Sequence, residues 1–132
     1  MQRMIVPYIT GSADRFERLA RIASVQRMDL FHIQTVAELE DWLRSQRTPA
    51  LITDSQFEDG DWQDALEYCR SHAPEVRVVV TARTDSPSLL AEVAEAGAVD
   101  LIAQPFYAPE VRRCLRALAD FVEREQFAEA TA

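Results

Sequence analysis

The sequence predicts an α/β fold, a doubly wound three-layer sandwich around a five-stranded parallel sheet. Three observations predict it. Short apolar runs alternate along the chain with segments of helical periodicity. The runs are continuous rather than alternating, as in strands buried on both faces and joined by right-handed helical crossovers. Polar residues then gather at one end: Asp54, Thr81, Gln104 and the Thr10-Gly11 turn all fall at the carboxyl ends of predicted strands. That is where an open α/β sheet keeps its ligand crevice.

The elements follow in order. Met4 to Ile9 is the first strand, although Pro7 inside it lacks a ladder donor, so either one side is locally unpaired or the strand begins late. Ser12 caps a helix from about Ala13 to Val25, with Phe16, Leu19, Ala20 and Ala23 on one face. Asp29 to Gln34 is the second strand. Thr35 and Glu38 form a capping box for a helix ending near Gln46, with Val36, Leu39, Trp42 and Leu43 turned inward. Leu51 to Thr53 is the third strand, closed by Asp54. Asp61 or a neighbour opens the third helix, which carries Trp62, Ala65, Leu66 and Cys69. Val76 to Thr81, rich in β-branched residues, is the fourth strand. Ser86 and Pro87 cap and start a helix that Gly97 ends. Val99 to Ile102 is the fifth strand. Pro109 starts a last helix carrying Val111, Cys114, Leu115, Leu118 and Val122.

The chain has 132 residues, 48% of them hydrophobic, which suits one domain with a core that needs no staples. Its formal net charge of −8 argues against direct binding to nucleic acid or to an anionic membrane. Arg112, Arg113 and Arg116 read as the solvated face of a helix. Cys69 and Cys114 read as small buried hydrophobes in a reducing, cytoplasmic setting, and no spacing suggests zinc. The N-terminus has no apolar stretch long enough for a signal peptide or a membrane span.

Four pieces in order carry a family resemblance: "LITD" ending at Asp54, "VVVTA" ending at Ala82, "EAGAVDLIAQPF" ending at Phe106, and the spacing between them. The chain resembles the receiver domain of bacterial response regulators, the flavodoxin-like (βα)5 phosphoacceptor module of two-component signalling. The resemblance covers roughly residues 3 to 122, and Gly97 to Phe106 is its most specific part. It divides the chain into a receiver-like domain, 1–122, and a C-terminal helix extension or tail, 123–132.

The resemblance implies that Asp54 holds the phosphoacceptor position and Thr81 the phosphoryl-binding hydroxyl position. Family members place a Mg²⁺ on the acceptor and an acidic pair after the first strand, and a Lys after the fifth. Here the acidic-pair positions read Thr10 and Gly11, and the Lys position reads Gln104. The switch aromatic is replaced by Leu101, and the loop "DSQFEDGDW" lacks the family's proline and is about two residues short. Asp14 falls in the first turn of a helix, where an acid suits the dipole. Mg²⁺ wants octahedral oxygen ligands including one or two carboxylates, so weak or absent Mg²⁺ binding is expected and no metal ligand is assigned. Two anions brought together without that compensation repel by about 4 kcal/mol per charge pair at an effective dielectric of about 20.

The expected protein is therefore a degenerate receiver, or pseudo-receiver, with weak or no phosphorylation and no enzymatic residues. It acts through a protein partner, an output domain or a second copy, docking through the fourth helix, fifth strand and fifth helix. Two alternatives stay open: a working phosphoacceptor modified on Asp54 by a histidine kinase, and a small-ligand sensor using the vacated pocket beside Gly11 and Gln104. Asp54 also has a purely structural reading, as a cap for loop amides. Gln104 is expected to hydrogen-bond Asp54 or a loop carbonyl, and the resemblance implies a cis bond before Pro105. Asp59 and Asp61 read as loop solvation and helix capping. His32 and His72 lie far from the site in sequence. Phe121 and Phe127 are the aromatics least explained by the core, facing either a partner or their own domain.

Overall fold

Parallel strands cannot be joined by tight turns, so every crossover in this chain is a helix. The computed structural model describes residues 3–83 and 87–131, with side chains through Gln126. The elements run β1 (Met4–Ile9), α1 (Ala13–Val25), β2 (Met28–Ile33), α2 (Val36–Ser45), β3 (Ala50–Asp54), β4 (Gln56–Phe57), β5 (Gly60–Asp61), α3 (Trp62–His72), β6 (Arg77–Ala82), α4 (Pro87–Ala96), β7 (Asp100–Ala103) and α5 (Ala108–Thr131). The main sheet has five strands in the order β2-β1-β3-β6-β7, all parallel. This is the doubly wound α/β architecture expected from the apolar runs.

Two cores lie on the two faces. Val6, Tyr8, Ile52, Val79 and Ile102 meet α1 and α5 through Leu19, Ala23, Leu115 and Leu118. Ile9, Leu51, Val78 and Val80 meet α2, α3 and α4 through Leu39, Trp62, Leu66 and Val93. The central strand β3 is buried at every residue, whereas the edge strand β2 alternates and exposes Phe31.

Pro7 has the predicted effect. β1 pairs with β2 along its whole length but with β3 only at Tyr8–Ile52 and Ile9–Thr53. Below that point the Thr48 hydroxyl lies 2.9 Å from the Ile5 carbonyl and 2.8 Å from the Ala50 carbonyl, taking the place of the missing ladder.

The caps follow the side-chain chemistry. Ser12 accepts from the Arg15 amide and Thr35 from the Glu38 amide, both at 3.0 Å, while Glu38 accepts from the Gln34 amide rather than from Thr35, so the expected capping box is only half formed. Asp61 accepts from the Gln63 and Asp64 amides, while Asp64 accepts from the Asp61 amide in return. Gly97, at φ +99°, ends α4 in a conformation that a Cβ disfavours. Arg27 takes φ 59° between α1 and β2, an unusual place for a side chain. The expected Ser86 cap lies outside the described residues.

Several boundaries differ by a residue: β2 starts at Met28, β3 takes in Ala50 and Asp54, β6 ends at Ala82 and β7 ends at Ala103. A larger difference is the β4–β5 hairpin, pairing Gln56 with Asp61 and Phe57 with Gly60, where the sequence reads as a plain loop. Two groups hold it. Phe57 packs against the second core, and Asp59 accepts from the Val36 and Ala37 amides at 3.0 and 3.3 Å, so it caps α2 as well.

α5 runs without interruption past Val122. Arg77 fixes this stretch to β6: its guanidinium pairs with Glu125 and lies 5.3 Å from the Phe121 ring centroid. Phe121 thus has an intramolecular neighbour, and the side chain of Phe127 lies outside the described residues. Cys69 and Cys114 are buried free thiols, and burial pushes both up to about 12. Among the described residues, no helix is long and apolar enough to cross a membrane.

Candidate functional site at the carboxyl ends of the strands

Strand register places the polar residues side by side. Tyr8 pairs with Ile52, so two residues on, Thr10 stands beside Asp54, which pairs with Thr81. Tyr8, Thr10, Asp54 and Thr81 are all buried, and Asp54 is only 3% exposed. A carboxylate so deep needs partners on both oxygens.

It has them. Oδ1 accepts from the Tyr8 hydroxyl at 2.6 Å and, at a long 3.4 Å, from the Gln104 side-chain amide. Oδ2 accepts from Arg15, with Nε at 3.1 Å and Nη2 at 3.0 Å. Gln104 also donates to the Thr81 hydroxyl at 2.8 Å, which links the carboxyl ends of β7, β6 and β3 through their side chains. Burial holds the Tyr8 phenol well above its ordinary range, and the Asp54 charge and hydrogen bond push it the same way. Tyr8 is therefore a fixed donor to Asp54.

Thr10 turns its hydroxyl to the Ser12 amide at 3.1 Å, and a Cβ built on Gly11 meets no atom within 4 Å. The peptide bond between Gln104 and Pro105 is cis. Asp14 pairs with Arg18 at 3.2 Å on the exposed side of α1. Asp59 and Asp61 serve as helix caps. His72 closes α3, stacked on Tyr68 at 4.5 Å. His32, distant in sequence, is close in space: its Nε2 donates to the Thr10 carbonyl at 2.9 Å and its ring stacks on Phe16 at 4.6 Å.

Sequence reasoning missed Tyr8 and Arg15. Both carried a signal. A Tyr inside a buried strand needs a partner for its hydroxyl, and alternation from Val6 points it to the α1 face. Arg15 sits four residues before Leu19, in the apolar stripe of α1, at the end nearest the strand mouths.

The donor set does not fit the Mg²⁺ that the fold family implies. Both Asp54 oxygens are taken, and a guanidinium occupies one of them. Among the described residues, no three His, Cys, Asp or Glu side chains form a group able to hold a metal ion. The chain contains 14 basic residues, all of them arginine, so no ammonium is available either. What the arrangement can do is hold a buried carboxylate in a closed hydrogen-bond network beneath an open cleft of about 490 Å³, lined by Arg15, Asp54, Arg83 and Gln104 among others.

No family model and no curated protein matches the chain. Solved structures do. The signal receiver domain of a protein described as a Luxo repressor, from Vibrio parahaemolyticus, superposes with TM-score 0.87 at 17% identity, covering 96% of this chain and 98% of that one. A CheY-like response regulator receiver domain protein from Methanospirillum hungatei JF-1 gives TM-score 0.81 at 14% identity, covering 94% and 99%. The beryllofluoride-activated NtrC4 receiver domain, a dimer in solution, gives 0.81 at 16% identity, covering 89% and 98%. At these identities the likeness is one of fold: the chain has the five-stranded flavodoxin-like architecture of receiver domains over nearly its whole length.

Proposed function

We propose, from a chain with the receiver-domain fold, that it is a signalling module which works by docking a protein partner, an output domain or a second copy, and not by phosphoryl transfer to Asp54. The observation that carries the reading is the internal ion pair. Nucleophilic attack needs a free carboxylate oxygen and cations that can neutralise the incoming group. Arg15 and Tyr8 satisfy Asp54 from within the protein, and the flanking positions Thr10, Gly11 and Gln104 carry no charge. The carboxylate serves here as a structural anchor for α1.

The docking face proposed is α4, β7 and α5. Leu90 on α4, Val99 before β7 and Tyr107 before α5 expose apolar side chains, Tyr107 to 70%. A cytoplasmic location suits such a module.

The test is incubation with acetyl phosphate and Mg²⁺, read by intact mass, with light scattering for the oligomeric state. The expected result is an unchanged mass for the native protein. A quadruple variant, Thr10→Asp, Gly11→Asp, Arg15→Ala and Gln104→Lys, restores the missing charges and frees Asp54, and is expected to gain a phosphoryl group. A native adduct that Asp54→Asn abolishes overturns the reading. It favours the second one, a working phosphoacceptor, which draws support from Thr81 standing next to Asp54 across the β3–β6 ladder.

A further inference from the structure

We propose that the cleft between α1 and the Gln104–Phe106 turn binds a small molecule bearing an oxyanion, phosphate or carboxylate, without covalent transfer. This goes beyond the docking reading and does not depend on it.

The cleft has a volume of about 440 Å³, within the usual range for small-ligand sites. Arg15, Arg18 and Arg83 line it together with Asp14, Gln104 and Phe106. A second cleft on the Asp54 side shares Arg15, Arg83 and Gln104, so these three residues stand between the two. The charges do not cancel. Arg15 answers Asp54 and Arg18 answers Asp14. Arg83 has no carboxylate partner among the described residues, and Asp85 lies outside them. Among the described residues one positive charge is left over, in a chain whose formal net charge is −8.

Guanidinium groups suit this task. Each offers a planar fork of donors that matches carboxylate and phosphate oxygens two at a time. The first turn of α1 borders the same space, and its dipole favours negative charge. The Gln104 amide adds a neutral donor, and Pro105 with Phe106 gives an apolar wall for the organic part of a ligand. Where the fold family gathers carboxylates for a cation, this chain gathers cations.

Amide shifts of the whole chain, followed by NMR during titration with sodium phosphate and separately with sodium acetate, test the proposal. Sodium chloride keeps the ionic strength constant. Saturable shifts confined to residues 12–18, 83 and 104–106 are expected with at least one of the two, and the arm that saturates at lower concentration identifies the preferred oxyanion. Arg83→Gln and Arg83→Glu, changes at an exposed position, should weaken that binding by about tenfold or more, the usual loss for a hydrogen bond to a charged group. Shifts that never saturate in either titration, or an affinity that both Arg83 variants leave unchanged, overturn the proposal. Intact mass of a parallel sample with acetyl phosphate and Mg²⁺ reads transfer to Asp54, which separates failure of this site from failure of the docking reading.

Discussion

Two arginine–carboxylate pairs hold opposite ends of the same sheet. Arg15 reaches Asp54 at the carboxyl ends of the strands, and Arg77 reaches Glu125 at the amino ends. The two arginine side chains are equally exposed, at 32% and 31%. Their acids are not: Asp54 is 4% exposed at the side chain and Glu125 38%. The value of an ion pair therefore depends here on the acid. Glu125 would be solvated without Arg77, so that pair fastens a helix and contributes little more. Asp54 is buried, so its carboxylate oxygens depend on protein donors, Arg15 among them.

The comparison breaks most sharply if Arg15 is removed. Arg15→Ala leaves a buried carboxylate with one side unmet and should cost about 2–3 kcal/mol, somewhat under the 3–5 typical of fully buried pairs. Urea denaturation measures it, and a loss below about 0.5 kcal/mol would show that water already reaches Asp54. Tyr8→Phe removes the other strong donor with little change of volume. A loss of about 1–2 kcal/mol is expected from the same measurement, with the circular dichroism of the native state unchanged. Glu125→Gln at the far end should shift stability by about 0.5 kcal/mol or less, since exposed pairs contribute little. If it matched Arg15→Ala, burial of the acid would not be the deciding variable.

The alternation of strands and helices was legible because both obey strong periodicities. Val76 to Thr81 and the stripe of α1 left little choice of element. So were the caps at Ser12, Thr35 and Asp61, because each is a local bond with a fixed spacing. The carboxyl-end cluster was legible as a place and incomplete as a set. Asp54, Thr81 and Gln104 fall at strand ends by counting alone. Arg15 and Tyr8 join them through register and helix phase, quantities that pairing fixes and local sequence does not. His32 belongs to the same lesson, since the β1–β2 ladder brings it to Thr10 across 22 residues of chain. The β4–β5 hairpin escaped because it is held by distant partners, the second core and the end of α2.

That hairpin ties the far end of the acceptor loop to α2, which lies with α3 on the second-core face of the sheet. Ser55 donates its amide to the Thr81 carbonyl, and four residues later Asp59 grips the first turn of α2. The loop is thus a short strut clamped at both ends. Any displacement of β3 at its tip must either tear the second clamp or drag α2 with it, so a disturbance at the mouth would surface mechanically beside the edge strand β2, well away from the face proposed for docking.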